Sequence, residues 1–130
     1  MAQGADIERE ARAASTIIAR RAETSDYVIG RRRWYHAHPE IAYHEVATTE
    51  QICTDLEALG IPYERPTATG VVATIRGTAQ SAYGTDGSPR RRIMLRADID
   101  GLPVAERTGE SFSSENDGFM HACGHDCHIA

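Results

Sequence analysis

The sequence predicts an α/β fold in which helices cover a mixed, largely parallel sheet. Apolar residues recur at helical spacing through the first half of the chain, and two short β-branched runs follow them. Near-continuous apolar strands of this kind are typical of sheets buried between helices. Ligand sites in such sheets gather beyond the strand ends, so the residues after the second run are the first place to look for a site.

Three helices are predicted before the strands. Strong helix formers with a thin apolar stripe predict the first, from Asp6 to about Glu23. A cap at Ser25 or Asp26 predicts the start of a second helix, which Pro39 stops. The third is predicted from about Glu45 to Leu59, where a Gly-x-Pro sequence supplies the stop signal.

The two β-branched runs, Val71–Ile75 and Ile93–Ala97, predict strands. Between them lies GTAQSAYGTDGSPR, residues 77–90, whose Gly, Ser, Thr and Asp content predicts a loose connection or a hairpin loop. The second strand leads directly into the acidic sequence LRADIDGLP. Carboxylates are therefore expected at its carboxyl end.

Size and charge exclude several classes of protein. At 130 residues the chain suits one modest domain, and its net charge of −5 argues against a nucleic-acid partner. The arginine triplets at 31–33 and 90–92 are interpreted as solvated faces or local ion pairs. No apolar run is long enough to cross a membrane. Three unevenly spaced cysteines and the absence of a secretory leader predict a cytoplasmic location.

The D-x-D sequence after the second strand is a candidate site. In an extended chain Asp98 and Asp100 point the same way, while Ile99 points back toward the core. Two carboxylates aimed together repel each other unless a cation or hydrogen-bond donors lie between them. A solvated turn leading into Gly101 remains the alternative.

The final ten residues, HACGHDCHIA, indicate metal chemistry. Cys123 and His125 flank Gly124, so a tight loop could turn a thiolate and an imidazole toward one divalent ion. Asp126 is expected to hold an imidazole tautomer or to cap a helix. The alternative is an incidental polar loop in which Cys127 is a small buried residue.

Two further interpretations of the same residues stay open. Cys123 and Cys127, together with His121 and His128, would suit a closed structural zinc knot in a non-enzymatic binding module. Cys127 as a catalytic nucleophile is disfavoured because no second cysteine pair and no clear set of base and orienting group supports it. The remaining histidines, taken singly, are interpreted as surface, capping or core residues: His36, His38 and His44.

Four segments in order, RRRWYHAHPEIAYHE, TGVVATIRG, IMLRADIDGLPV and GFMHACGHDCHIA, together resemble the metal-dependent amidohydrolases of the aminoacylase and carboxypeptidase clan. The resemblance is to the branch with hippurate hydrolase, N-acyl-amino-acid amidohydrolases and plant auxin-conjugate hydrolases. It runs from about Arg31 to Ala130. It implies a zinc-peptidase-like catalytic domain in which residues 38–45 form a turn packed near the site.

The resemblance also implies roles for individual residues. It assigns metal binding to Cys123 and His125, and it places Asp100 where the clan has an active-site aspartate after the strand. Asp98 occupies a position that is a histidine ligand in other branches. Cys127 stands where small residues are usual, so no role is assigned to it.

The family's reaction is hydrolysis of the amide bond of N-acylated amino acids or similar small conjugates. It uses two divalent metal ions, zinc or manganese with cobalt and nickel as alternatives, and a glutamate as general base. That glutamate, further histidine ligands and a small lid domain lie beyond HACGHD in relatives, which often form homo-oligomers through the lid. We therefore expect a truncated chain that is inactive alone and that a separately encoded C-terminal portion could complete.

The expected organisation has residues 1–24 as a helical extension and residues 25–130 as the amino-terminal part of the catalytic domain. A parallel sheet without its later strands would expose an edge and an apolar face. Partial order or aggregation is therefore expected of the isolated chain. The non-enzymatic zinc module remains the alternative to the amidohydrolase.

Overall fold

A computed structural model describes residues 2–78, 84, 87 and 92–130. Its elements in chain order are α1 (Ala2–Ala37), α2 (Val46–Ala58), β1 (Tyr63–Glu64), β2 (Val72–Ala73) and α3 (His125–Ile129). Most of the predicted loop at 77–90 lies outside the described residues, as do two arginines of the second triplet. Among the helices described, none combines the length and apolar character that a membrane span requires.

Helix α1 is continuous, so the prediction of two helices separated near Ser25 is wrong. The Ser25 hydroxyl donates to the Arg21 carbonyl at 2.8 Å, one helical turn earlier, instead of capping a new helix. The apolar stripe of the first half is not covered by other described residues, since Ile17 and Ile18 are 70% and 68% exposed. The half of α1 that packs is its carboxyl-terminal end.

Helix α2 begins and ends within a residue of its prediction. Its first turn is capped from outside the helix, because the Glu40 carboxylate accepts the backbone N–H groups of Ala47 at 3.1 Å and Thr48 at 2.7 Å. A carboxylate at this end also complements the helix dipole. At the other end Gly60 has a φ of 67°, the left-handed conformation that glycine adopts without strain.

The sheet differs from the prediction. Within the described ranges it has two strands, β1 and β2, which pair antiparallel with Tyr63 opposite Ala73 and Glu64 opposite Val72. The predicted strand at Val71–Ile75 is thus shortened to β2, and the described residues form no parallel sheet. The Ile93–Ala97 run is not a strand, because no described neighbour pairs with its backbone; Ile93, Met94 and Leu95 are about nine-tenths exposed.

A small core lies where the end of α1 meets α2. The Tyr35 hydroxyl donates to the Asp55 carboxylate at 3.1 Å, and Arg31 pairs with the same carboxylate at 3.1 Å. Burial, followed by the Asp55 charge, raises the pKa of Tyr35 well above its usual range. These contacts join the two helices around the buried side chains of Tyr35, Ala37, Thr48, Thr49 and Cys53.

The segment that follows the apolar run Ile93–Ala97 ties distant parts of the chain together. Gly101 donates its N–H to the Glu40 carbonyl at 2.7 Å and forms a parallel bridge with Ile41. The next residue, Leu102, forms an antiparallel bridge with Met120. The residues just before Gly101 are therefore held beside those just after Met120.

Gly101 has no room for a side chain. A Cβ there would lie 2.7 Å from the Pro39 Cβ, inside van der Waals contact. We expect Gly101→Ala to lower the free energy of unfolding by about 1–3 kcal/mol, as overpacking does elsewhere. Urea unfolding followed by circular dichroism would measure this. Gly30→Ala is the matched control: an added Cβ there meets nothing within 4 Å, so this helical substitution should be neutral or stabilising.

Candidate metal centre

His125, the first residue of α3, faces Asp100. Its Nδ1 lies 3.0 Å from the Asp100 carboxylate Oδ1 and 3.0 Å from the Asp100 backbone carbonyl. The carboxylate oxygen and the carbonyl oxygen both accept hydrogen bonds, so Nδ1 carries the proton and donates. This leaves Nε2 as the nitrogen with a free lone pair when the ring is neutral. A carboxylate behind the imidazole is the arrangement that orients metal-binding histidines in proteins.

Cys123 precedes this histidine by two residues and has an exposed thiol. Gly124 between them has a φ of 83°, so the chain turns through a left-handed conformation that other residues rarely adopt. Nothing lies within 4 Å of a Cβ built there. The glycine is therefore required by backbone conformation and not by a lack of space, which refines the sequence argument.

Asp98, the other acid of the D-x-D sequence, does not join this pair. Its carboxylate bonds to the Arg96 guanidinium, with Nη2 at 2.7 Å and Nε at 3.1 Å. That hydrogen bond and the charge of Arg96 lower the pKa of Asp98. The two carboxylates thus have separate hydrogen-bond partners, and residues 92–100 are not part of a strand.

The donor set fits part of a metal site. A thiol and an imidazole nitrogen with a bonded carboxylate behind it are the ligand types that zinc and similar ions prefer. Within the described ranges, however, no three His, Cys, Asp or Glu side chains converge to hold an ion. The four residues of the alternative zinc knot, Cys123, Cys127, His121 and His128, therefore do not converge among the described residues. Its members are divided between buried His121 and the exposed thiols of Cys123 and Cys127.

His121 is buried in this region, 3% exposed. Neither ring nitrogen has a hydrogen-bond partner in the part of the chain that the structure describes. Burial lowers its pKa, which favours the neutral ring. Oδ1 of Asp126 is likewise buried without a described partner.

A cluster of ionisable residues surrounds Asp126 of α3, and only part of it was foreseen. Asp126 is fully buried, and its Oδ2 lies 2.8 Å from Arg32 Nε and 2.8 Å from His36 Nδ1. Asp126 does hold an imidazole, as the sequence suggested, but that of His36. The signal for the cluster was the spacing of Arg32 and His36, four residues apart and hence on one face of a helix.

Glu106 completes the cluster from the opposite side of the His36 ring, with Oε1 3.1 Å from Nε2. Burial works to raise the pKa of Glu106. Hydrogen bonds from the Thr108 hydroxyl, the Ser114 backbone N–H at 2.6 Å and His36 outweigh burial and lower this pKa to about 2. The carboxylate is thus held in its charged form.

The lowered pKa of Glu106 predicts acid sensitivity. Its contribution to stability is complete above the unfolded pKa near 4.5 and is lost as the pH falls toward about 2. We expect the urea midpoint to fall across this interval. Glu106→Gln should lower the midpoint near neutral pH and flatten the dependence below about 4.5. An equally steep acid dependence in this variant would contradict the assignment.

Comparison with known proteins finds a family and several relatives that this chain resembles in sequence. Residues 94–130 match the sequence model of Peptidase family M20/M25/M40. An uncharacterized hydrolase of Staphylococcus saprophyticus is 45% identical over 103 residues, which is 79% of this chain and 24% of that protein. An Arabidopsis thaliana protein named IAA-amino acid hydrolase ILR1-like 5 is 38% identical over 112 residues, or 85% of this chain and 23% of that protein.

A solved structure is also similar to this chain. The Bacillus subtilis YXEP protein, described as a dinuclear metal binding peptidase from the M20 family, is 40% identical with a TM-score of 0.69. The match covers 80% of this chain and 27% of that one. The chain thus spans about a quarter of the length of the relatives it matches. Together these matches show that residues 94–130 carry the M20 peptidase family sequence pattern and that the chain is similar to about a quarter of its M20 and hydrolase relatives.

Proposed function

We propose that this chain carries part of a dinuclear metal site that hydrolyses the amide bond of N-acylated amino acids or similar small conjugates. The observation that carries the proposal is the Asp100–His125 contact at 3.0 Å, which leaves Nε2 available beside the exposed Cys123. Cys123 and His125 supply two ligands of this site, and Asp100 holds the His125 ring in position. When bound, the metal ions polarise the substrate carbonyl.

The substrate class rests on relatives. An Arabidopsis relative is named for hydrolysis of an IAA-amino acid, and the Bacillus subtilis structure is named as a dinuclear metal binding peptidase. Both names describe cleavage of an amide that involves an amino acid. Zinc and manganese are the proposed metals, with cobalt and nickel as alternatives that the same donor set accepts.

The proposed site is incomplete within these 130 residues. A hydrolytic dinuclear site needs more ligands than a thiolate and one imidazole, and it needs a general base. We propose that these come from polypeptide outside residues 1–130, such as a separately encoded C-terminal portion, and that the chain is inactive alone. A lid domain in that portion would also provide the homo-oligomeric contact. Residues 1–24 would form a helical extension and residues 25–130 the amino-terminal part of the catalytic domain.

The exposed run at Ile93–Leu95 supports this incompleteness. It shares an apolar groove of about 820 Å³ with Val72, Ile75 and residues of α2. A groove of this kind, lined by a run that has no strand partner, suits the backbone and side chains of neighbouring strands. We propose that the largely parallel sheet forms when the remaining polypeptide supplies those strands.

Cobalt titration and a hydrolysis assay test the proposal. The isolated chain should bind cobalt and develop a thiolate-to-cobalt charge-transfer band, yet should not hydrolyse N-acetyl or N-benzoyl amino acids with zinc or manganese. A chimera that replaces the aligned segment of the Bacillus subtilis peptidase with this chain should hydrolyse them, and Cys123→Ala should abolish that activity. Absence of the band, or turnover by the isolated chain, would contradict the proposal.

A further inference from the structure

Helix α1 reaches the candidate metal centre through the buried cluster of Arg32, His36, Glu106 and Asp126. We propose that Arg32 and His36 are positioning residues, which fix Asp126 and thereby hold Cys123 and His125 in the geometry that binds metal. This inference rests on the proposed function. Neither residue contacts Cys123 or His125 among the described contacts, so both act through Asp126.

The metal-binding loop needs an external anchor. Helix α3 has five residues, too few to be stable by its own backbone hydrogen bonds. Backbone hydrogen bonds at the loop include Gly124 N–H to the His121 carbonyl at 3.3 Å and Cys127 N–H to the Gly124 carbonyl at 3.0 Å. The first of these is long for a hydrogen bond of this type. Side-chain contacts therefore add to the Leu102–Met120 bridge in setting the orientation of the loop.

Asp126 makes such contacts. Its side chain has no exposed surface, and its Oδ2 lies 2.8 Å from Arg32 Nε and 2.8 Å from His36 Nδ1. Asp126 is covalently joined to His125, whose ring is held from the other side by Asp100. The proposed ligand His125 is thus held from two sides. Asp100 bonds to its ring, and the adjacent Asp126 contacts α1.

The cluster brings two basic side chains, Arg32 and His36, to two acidic ones. The two ring nitrogens of His36 lie 2.8 Å from Asp126 Oδ2 and 3.1 Å from Glu106 Oε1. The Arg32 guanidinium also lies 4.9 Å from the centre of the Phe112 ring. A buried set of this kind is weak evidence for stability but is well suited to specifying one arrangement.

Variants of neighbouring arginines test the inference in the full chain. Arg32→Ala should weaken cobalt binding and alter the charge-transfer band; because Arg32 acts through Asp126, the loss should not exceed the about 10- to 100-fold that losing a direct outer partner of a metal ligand costs. Arg31→Ala is the matched control, because it removes an ion pair of the same helix, with Asp55 at 3.1 Å, that does not contact Asp126. Its cobalt affinity and spectrum should equal those of the wild-type chain.

Conservative variants separate positioning from stability. Arg32 reaches Asp126 through a single contact at Nε, so Arg32→Lys should restore part of the affinity lost in Arg32→Ala. His36→Gln keeps a donor but cannot bridge both carboxylates, and it should weaken cobalt binding while the helical circular dichroism is retained.

The outcomes distinguish this inference from the proposed function. A wild-type chain without a charge-transfer band overturns both. A wild-type band together with equal cobalt affinity in Arg32→Ala and Arg31→Ala overturns the positioning role alone. Where Arg32→Ala does not fold, His36→Gln decides, and wild-type affinity in that folded variant overturns the inference.

Discussion

Cys123→Ala should abolish the charge-transfer band of the cobalt-loaded chain and weaken cobalt binding by more than about 100-fold. Loss of an outer partner of a metal ligand already costs about 10- to 100-fold, and loss of a ligand itself should cost more. His125→Ala should weaken binding to a similar extent while leaving a thiolate that can still produce a residual band. Titration by absorbance, with competition against a chelator, measures both effects.

Cys127→Ala is the matched control for this prediction. Cys127 is a second exposed thiol, four residues from Cys123, and no role is assigned to it. The cobalt affinity and spectrum of this variant should be those of the wild-type chain. Equal losses in Cys123→Ala and Cys127→Ala would mean that both thiolates bind the ion, and would favour the structural zinc knot over half of a dinuclear site.

Asp126→Ala should destabilise the chain by about 3–5 kcal/mol, because it leaves the buried His36 and the partly buried Arg32 without their shared carboxylate. Whole domains are stable by only about 5–15 kcal/mol. With a core as small as this one, much of the variant should be unfolded at room temperature. Urea unfolding monitored by circular dichroism measures the change.

Asp117→Ala is the comparison for Asp126→Ala. It removes an exposed carboxylate nine residues earlier in the same segment, so its effect should stay within about 0.5 kcal/mol. Asp126→Asn should lie between the two, since the amide oxygen still accepts a hydrogen bond. Equal unfolding midpoints for Asp126→Ala and Asp117→Ala would show that the cluster contributes nothing to stability.

Elements with a strong local signal were predictable from the sequence. Helix α2 has an apolar face and a glycine stop in the sequence, and both of its predicted boundaries lie within one residue of those in the structure. The break expected at Ser25 was wrong because serine hydroxyls bond equally well to a carbonyl one turn back inside a helix. Strand β1 was missed because two residues carry no periodic pattern, and Ile93–Ala97 failed as a strand because pairing depends on neighbours that no local pattern supplies.

The candidate site was predicted in its residue types but not in its pairings. The D-x-D and HACGHD sequences drew attention to Asp100, Cys123 and His125, and the structure brings Asp100 to His125. No sequence rule says which acid meets which histidine across such separations along the chain. The Asp126–His36 contact spans 90 residues and depends on how α1 crosses α3. The roles of Cys123, His125 and Asp100 stay predictions until metal binding is measured.

The exposed apolar side chains at Ile93–Leu95 make the concentration of this chain important for its assembly. If a separate polypeptide supplies the missing strands, as proposed above, two copies of this chain meet at a rate that depends on the square of its concentration, whereas the chain and that polypeptide meet in proportion to both concentrations. The ratio of the two concentrations would then decide between assembly and precipitation. An excess of this chain would be more damaging than a shortage.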